Sequence, residues 1–126
     1  MDRSTESVRA ISAQERAVLV QALRLGGSPN VDPIPPEQLD SLQVLGICPC
    51  GCASVDFLET EPDQAAEVVA HAIGETPSGE PVDILVFAYN GVLTDMEIIG
   101  YSSTPAPLPV PATVRGWDGQ RTSCAT

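Results

Sequence analysis

The sequence predicts an α+β fold: an N-terminal amphipathic helix and a short second helix packed on an antiparallel β-meander of four to five strands. Three observations carry that expectation. Ser12-Ala13-Gln14-Glu15 has the form of a helix capping box, Asn90-Gly91 separates two β-prone runs, and prolines punctuate the chain between and after these elements. A length of 126 residues suits one domain with one core, and 43% hydrophobic against 18% charged residues is ordinary globular composition.

The capping box opens the first element, with Ser12 placed to accept from the Glu15 amide while Glu15 reaches back. Ile11, Val18, Ala22 and Leu25 fall on one helical face with Leu19 and Leu23 beside it, and Arg9, Arg16 and Arg24 project roughly opposite. Gly26-Gly27 supplies the stop. The arginine stripe is read as a solvated face that also pairs with the domain's own carboxylates, and alternatively as a contact for an acidic partner.

Ser28 to Pro36 is too rich in proline for a helix or a central strand. A short second helix is expected from Pro36 to Leu42, with Leu39 and Leu42 turned inward. Val44 to Ile47 reads as a strand entering Cys48-Pro49-Cys50-Gly51-Cys52, and Ser54 to Glu59 as a strand leaving it, with a tight reversal at Pro49 and Gly51. Residues 61–74 fit a helix by propensity, but Val68 to Thr76 also fits a strand feeding the turn Pro77-Ser78-Gly79. The strand is preferred.

The strongest β signal runs from Val82 to Tyr89 and, after Asn90-Gly91, from Val92 to Tyr101. An unbroken hairpin would pair Tyr89 with Val92 and Leu85 with Met96, and would set Asp95 and Glu97 against Val86 and Ile84. Pro105, Pro107, Pro109 and Pro111 then alternate with other residues, which favours an extended, polyproline-like strap. The expected organisation is a flexible N-terminus at 1–11, a single domain at 12–112 and a mobile tail at 113–126.

Charge is unevenly distributed. Residues 1–26 carry four arginines against three carboxylates, whereas residues 27–114 carry thirteen carboxylates and no arginine or lysine; the whole chain has a net charge of −11. Such a field repels phosphate backbones and anionic lipid, so nucleic acid and membrane are not expected partners, while a basic protein would be attracted. The N-terminus lacks a secretory pattern and no apolar run approaches the length of a membrane span, so a soluble, cytoplasmic protein is expected.

Cys48, Cys50 and Cys52 are the candidate metal ligands. Reducing surroundings would keep them as thiols or metal-bound. Their Cys-x-Cys-x-Cys spacing differs from the Cys-x-x-Cys pairs of zinc sites, and on an extended segment the sulfurs would stand about 7 Å apart on one face. A turn would gather them, with Cys124, His71 or an acid as a fourth ligand; Cu(I), content with two or three thiolates, suits the spacing better than zinc. Thiol redox chemistry and small half-buried thiols in a hairpin are the other readings.

His71 is the only histidine, so a Cys–His–acid constellation would have to be built on it; beside Val69 and Ile73 its expected role is structural. Asp95 and Glu97 share a strand face, as a hydrolase carboxylate pair would, and are expected to mark the outer face of the sheet. No catalytic set emerges. The leading functional expectation is a non-enzymatic acidic interaction module, of the immunity-type or antitoxin-like kind, that covers a basic partner; the alternative is a soft-metal or zinc module on the three cysteines.

Glu15-Arg16-Ala17-Val18-Leu19, Cys50-Gly51-Cys52, Gly79-Glu80-Pro81-Val82 and Pro107-Leu108-Pro109 occur in an order that resembles a group of short uncharacterised proteins from high-GC actinobacteria. The likeness covers most of residues 13–109. It implies a compact helix-plus-meander domain and supports a strand at Val68 to Thr76. It implies no activity.

Overall fold

The computed structural model describes residues 8–29, 31, 34–47, 51–58, 65–102 and 105–117. In chain order these form β1 (Arg9–Ala10), α1 (Ala13–Gly26), α2 (Pro36–Asp40), β2 (Gln43–Val44), β3 (Gly46–Ile47), β4 (Val55–Asp56), β5 (Glu67–Glu75), β6 (Pro81–Tyr89), β7 (Val92–Gly100), a 3-10 turn (Pro111–Thr113) and β8 (Arg115–Gly116). The fold is α+β, as expected.

The capping box forms in full. Glu15 N–H donates to Ser12 Oγ at 3.0 Å and Ser12 N–H donates to Glu15 Oε1 at 3.0 Å. The same carboxylate accepts two bonds of 2.8 Å from the Arg9 guanidinium, which explains how an acid sits almost buried in the first turn. Val18, Leu19 and Ala22 are fully buried. Leu25, expected inward, is instead 43% exposed. The buried stripe passes between Val18 and Leu19 and on through Ala22 to Gly26, where the helix lies so close to the His71 carbonyl that a Cβ would collide with it. Glycine, not Leu25, makes that contact.

Helix α2 ends at Asp40 rather than Leu42, because Leu42 already belongs to an extended path: its carbonyl accepts from Ile11 N at 3.3 Å, beside the pairing of β1 with β2. Gln38 of α2 reaches the central hairpin, donating to the Gly91 carbonyl at 3.1 Å and accepting from Leu93 N at 2.7 Å.

That hairpin turns through Asn90 and Gly91 at φ 53° and 79°, the two left-handed residues of a type I′ turn. Tyr89 faces Val92 as expected, but the register then shifts by one residue: Ala88 faces Leu93, Phe87 faces Asp95, and Thr94 is the extra residue of a bulge. Leu85 therefore faces Glu97 instead of Met96. The reason is burial. Ile84 and Val86 are fully buried on the helix-covered face, so the unbulged register would have driven Asp95 and Glu97 into the core. With the bulge, Leu93, Met96 and Ile98 point inward and both acids point out.

Between residues 61 and 74 the strand prevails: β5 runs antiparallel to β6 along its length, with residues 61–64 outside the described set. The main sheet has six strands in the order β3-β4-β7-β6-β5-β8, more than the four to five expected. Gly46–Ile47 and Val55–Asp56 are short forms of the two strands expected around the cysteine run, and they join the sheet at β7. The additional strand is Arg115–Gly116, read from sequence as tail, which pairs with Ile73 and Ala72 of β5. The proline strap makes this last strand reachable. It docks through Ala106, whose carbonyl accepts from Ala53 N at 2.9 Å, and through Val110 N, which donates to the Glu75 carbonyl at 2.8 Å, so the chain crosses from β7 to the free edge of β5. Among the described residues no helix is long and apolar enough to cross a membrane.

Candidate functional site

Among the described residues helix α1 covers one face of the sheet and no element covers the other, so strand alternation decides which side chains form the outer surface. On β5 and β6 the outward residues include His71, Ile73, Asp83, Leu85 and Phe87, all half-buried; on β7 they are Asp95, Glu97 and Ile99. Ile73, Leu85 and Phe87 trace an apolar diagonal, and Ile99, 39% exposed, lies at its side. Carboxylates of Asp83, Glu97, Asp95 and Asp56 border it.

At one end of this surface His71 of β5, Asp83 of β6 and the residues just after β7 and β8, Tyr101 and Trp117, form a continuous row. The His71 ring lies flat on Trp117, with centroids 4.6 Å apart and planes inclined by 6°. Its Nε2 is 3.7 Å from Asp83 Oδ2, just beyond hydrogen-bond reach. On the other side of Asp83, Tyr101 Oη donates to Oδ1 at 2.6 Å. The row is held by the backbone: Trp117 N donates to the His71 carbonyl at 3.1 Å, continuing the β8 ladder. Trp117 is 45% and Tyr101 67% exposed, so both present aromatic surface outward. His71 Nε2 is buried and has no hydrogen-bond partner among the described residues.

Electrostatics divide this surface. Tyr101's phenol is pushed up to about 12, chiefly by its bond to Asp83, because ionisation would set two anions against each other. Glu97's carboxyl is raised by burial first and then by Asp95 and Asp56. Asp56 stands directly opposite Asp95 across the β4–β7 pair, a like-charge arrangement that costs stability. Against these acids, among the described residues, the same face carries one guanidinium, that of exposed Arg115 beside Ile73. Glu15, on the other side of the molecule, shows the opposite case: its carboxyl lies below the usual range, mainly through the Arg9 bond.

Of the three candidate metal ligands, Cys48 and Cys50 lie outside the described residues, as does Cys124. Cys52 is half-buried and its thiol donates to Ser54 Oγ at 3.3 Å. Gly51 before it adopts φ 97°, a turn conformation. Among the described residues no group of three or more His, Cys, Asp or Glu side chains is placed to hold a metal ion. His71 and Cys52 are not brought together: β4, which Cys52 precedes, and β5 are three strand spacings apart, about 14 Å. Asp95 and Glu97 do share the outer face, against Phe87 and Leu85 in place of the neighbours expected.

The sequence concealed the aromatic row. Alternation around His71 and Asp83 signals their outward orientation, but Trp117 reaches His71 only through a two-residue strand, too short to leave a periodic pattern. Comparisons of the chain with protein families, with curated proteins and with solved structures found no match.

Proposed function

We propose that the chain is an acidic protein-interaction module that covers a basic partner with the outer face of its sheet, in the manner of an immunity-type or antitoxin-like inhibitor. The observation that carries this reading is the carboxylate group of Asp56, Asp95 and Glu97, kept together at a cost beside the apolar diagonal of Ile73, Leu85 and Phe87. Glu97 is raised first by burial and then by Asp95 and Asp56, and a partner's arginine or lysine would relieve the part due to those neighbours. Apolar and aromatic side chains supply burial, and the carboxylates select a basic surface and reject an acidic one. Trp117 and Tyr101 are the residue types that most often anchor such contacts.

The test is capture of partners from the native host at low and at moderate salt, with the chain and with an Asp95→Asn/Glu97→Gln variant as bait. A basic protein enriched by the parent chain, at least tenfold less by the variant, and more strongly at low salt supports the proposal. Failure to enrich any basic protein at either salt level overturns it.

A further inference from the structure

Away from the acidic sheet, the solvent side of α1 closes one wall of a cavity of about 560 Å³. Arg16, Val20 and Arg24 recur every fourth residue along that side, so a single helical line places an aliphatic side chain between two guanidinium groups over about 12 Å of helix axis. Leu23 lies beside them. Val31 and Ile34 of the proline-rich connector and Leu39 of α2 form the facing wall, and Val69, at the start of β5, closes the space from below. Among the described residues the lining is thus apolar within and cationic at the edge.

The arginines are held rather than consumed. Arg16 donates from Nη2 to Asp40 Oδ1 at 2.7 Å, and Arg24 from Nη1 to Gln21 Oε1 at 3.0 Å. Each guanidinium has five N–H donors in a planar fork, so one such contact orients the group and leaves donors for a second carboxylate. The placement is notable for a chain of this charge. Residues 27–114 contain no cation at all, yet an apolar cavity between that body and α1 has two at its edge.

The geometry points to a binding site for a single-chain carboxylate amphiphile, its hydrocarbon in the cavity and its head group on Arg24, Arg16 or both. Volume favours a small molecule: 560 Å³ lies within the range of ligand pockets and is too small for a partner helix of several turns. Charge then separates ligands of equal hydrocarbon length. A cationic head group would meet two guanidinium groups, and an uncharged one would leave them unused.

Isothermal titration calorimetry of the full chain with decanoate, decyltrimethylammonium and decanol, each below its aggregation concentration, tests this directly. One molecule of decanoate should bind saturably, at least tenfold more tightly than either comparison compound. The Arg16→Gln/Arg24→Gln variant should lose at least tenfold for decanoate and little for decanol, while Val20→Glu should abolish saturable binding. The arginine substitutions are on the surface and leave the core intact, so they decide the matter even if Val20→Glu fails to fold. Absence of saturable decanoate binding, equal binding of the cationic amphiphile, or an unchanged affinity in the arginine variant would each overturn the assignment.

Discussion

Replacing Glu97 by glutamine should stabilise the protein at neutral pH, although it removes a charged residue from a strand. In the folded state burial, Asp95 and Asp56 all raise the Glu97 carboxyl above its ordinary value. A raised carboxyl favours the protonated form, so its contribution to stability is fully present below the unfolded value, about pH 4, and is lost as pH rises through the folded value. At pH 7 Glu97 is therefore a net cost. Cross-strand like charges cost about 0.2–1 kcal/mol, and a half-exposed group is screened, so the gain in Glu97→Gln should be about 0.5 kcal/mol, or roughly 2 °C in Tm. Urea and thermal denaturation followed by circular dichroism at pH 7 and low salt would measure it. The gain should shrink in 1 M NaCl, where the screening length is about 3 Å, and should vanish at pH 3. A variant no more stable than the parent at pH 7, or a gain that persists at pH 3, would refute the electrostatic account of this surface.

Glu15→Gln should do the reverse. Its carboxyl is depressed by Arg9, so its contribution is present above the unfolded value and is lost as pH falls through the folded one; the substitution should cost about 1 kcal/mol at pH 7 and little at pH 2, read from the same denaturation curves. Gly26→Ala should destabilise by about 1–3 kcal/mol despite the better helix propensity of alanine, because the new Cβ meets the His71 backbone; a more stable variant would show that α1 does not approach β5 so closely. Spectrophotometric titration should find Tyr101 ionising near pH 12, and Asp83→Asn should return it toward about 10. Native mass spectrometry of protein purified without chelator should give the metal-free mass; uptake of one Zn(II) or Cu(I), lost in Cys52→Ser, would instead establish the thiol site.

Local chemistry was the legible part of the sequence. Ser12 and Glu15 announce a helix start because a capping box is complete within four residues, and Asn90-Gly91 announces a hairpin because few other pairs adopt two positive φ angles. What sequence did not give depended on contacts between distant segments. The bulge at Thr94 exists because Ile84 and Val86 claim the core, and no local feature of Leu93-Thr94-Asp95 encodes that competition. Leu25 lost its place in the core to Gly26 because the approach of helix to sheet is set by β5, forty residues on. The sixth strand is two residues long and is placed by the proline strap rather than by its own propensity. For the candidate surface, composition supplied the acidity, but only the register put Asp56 opposite Asp95 and Trp117 on His71.

The fold also converts an uneven sequence into a directional field. Arg9, Arg16 and Arg24 lie on or beside α1, which covers one face of the sheet, and the outward carboxylates of β4, β6 and β7 lie on the other. Among the described residues these charges set a dipole across the sheet, beside the net negative charge of the chain. On the proposed reading, a basic partner would be drawn by the net charge and turned toward the outer face. The proposed carboxylate ligand would be repelled at long range and attracted within reach of Arg16 and Arg24, a distance comparable to the screening length of about 8 Å at physiological salt. The two proposed ligands therefore use opposite faces and differ in their sensitivity to salt. Added salt should weaken the basic partner by removing its steering, whereas for a carboxylate amphiphile it screens the long-range repulsion as well as the local pairing, so its affinity depends on salt far less.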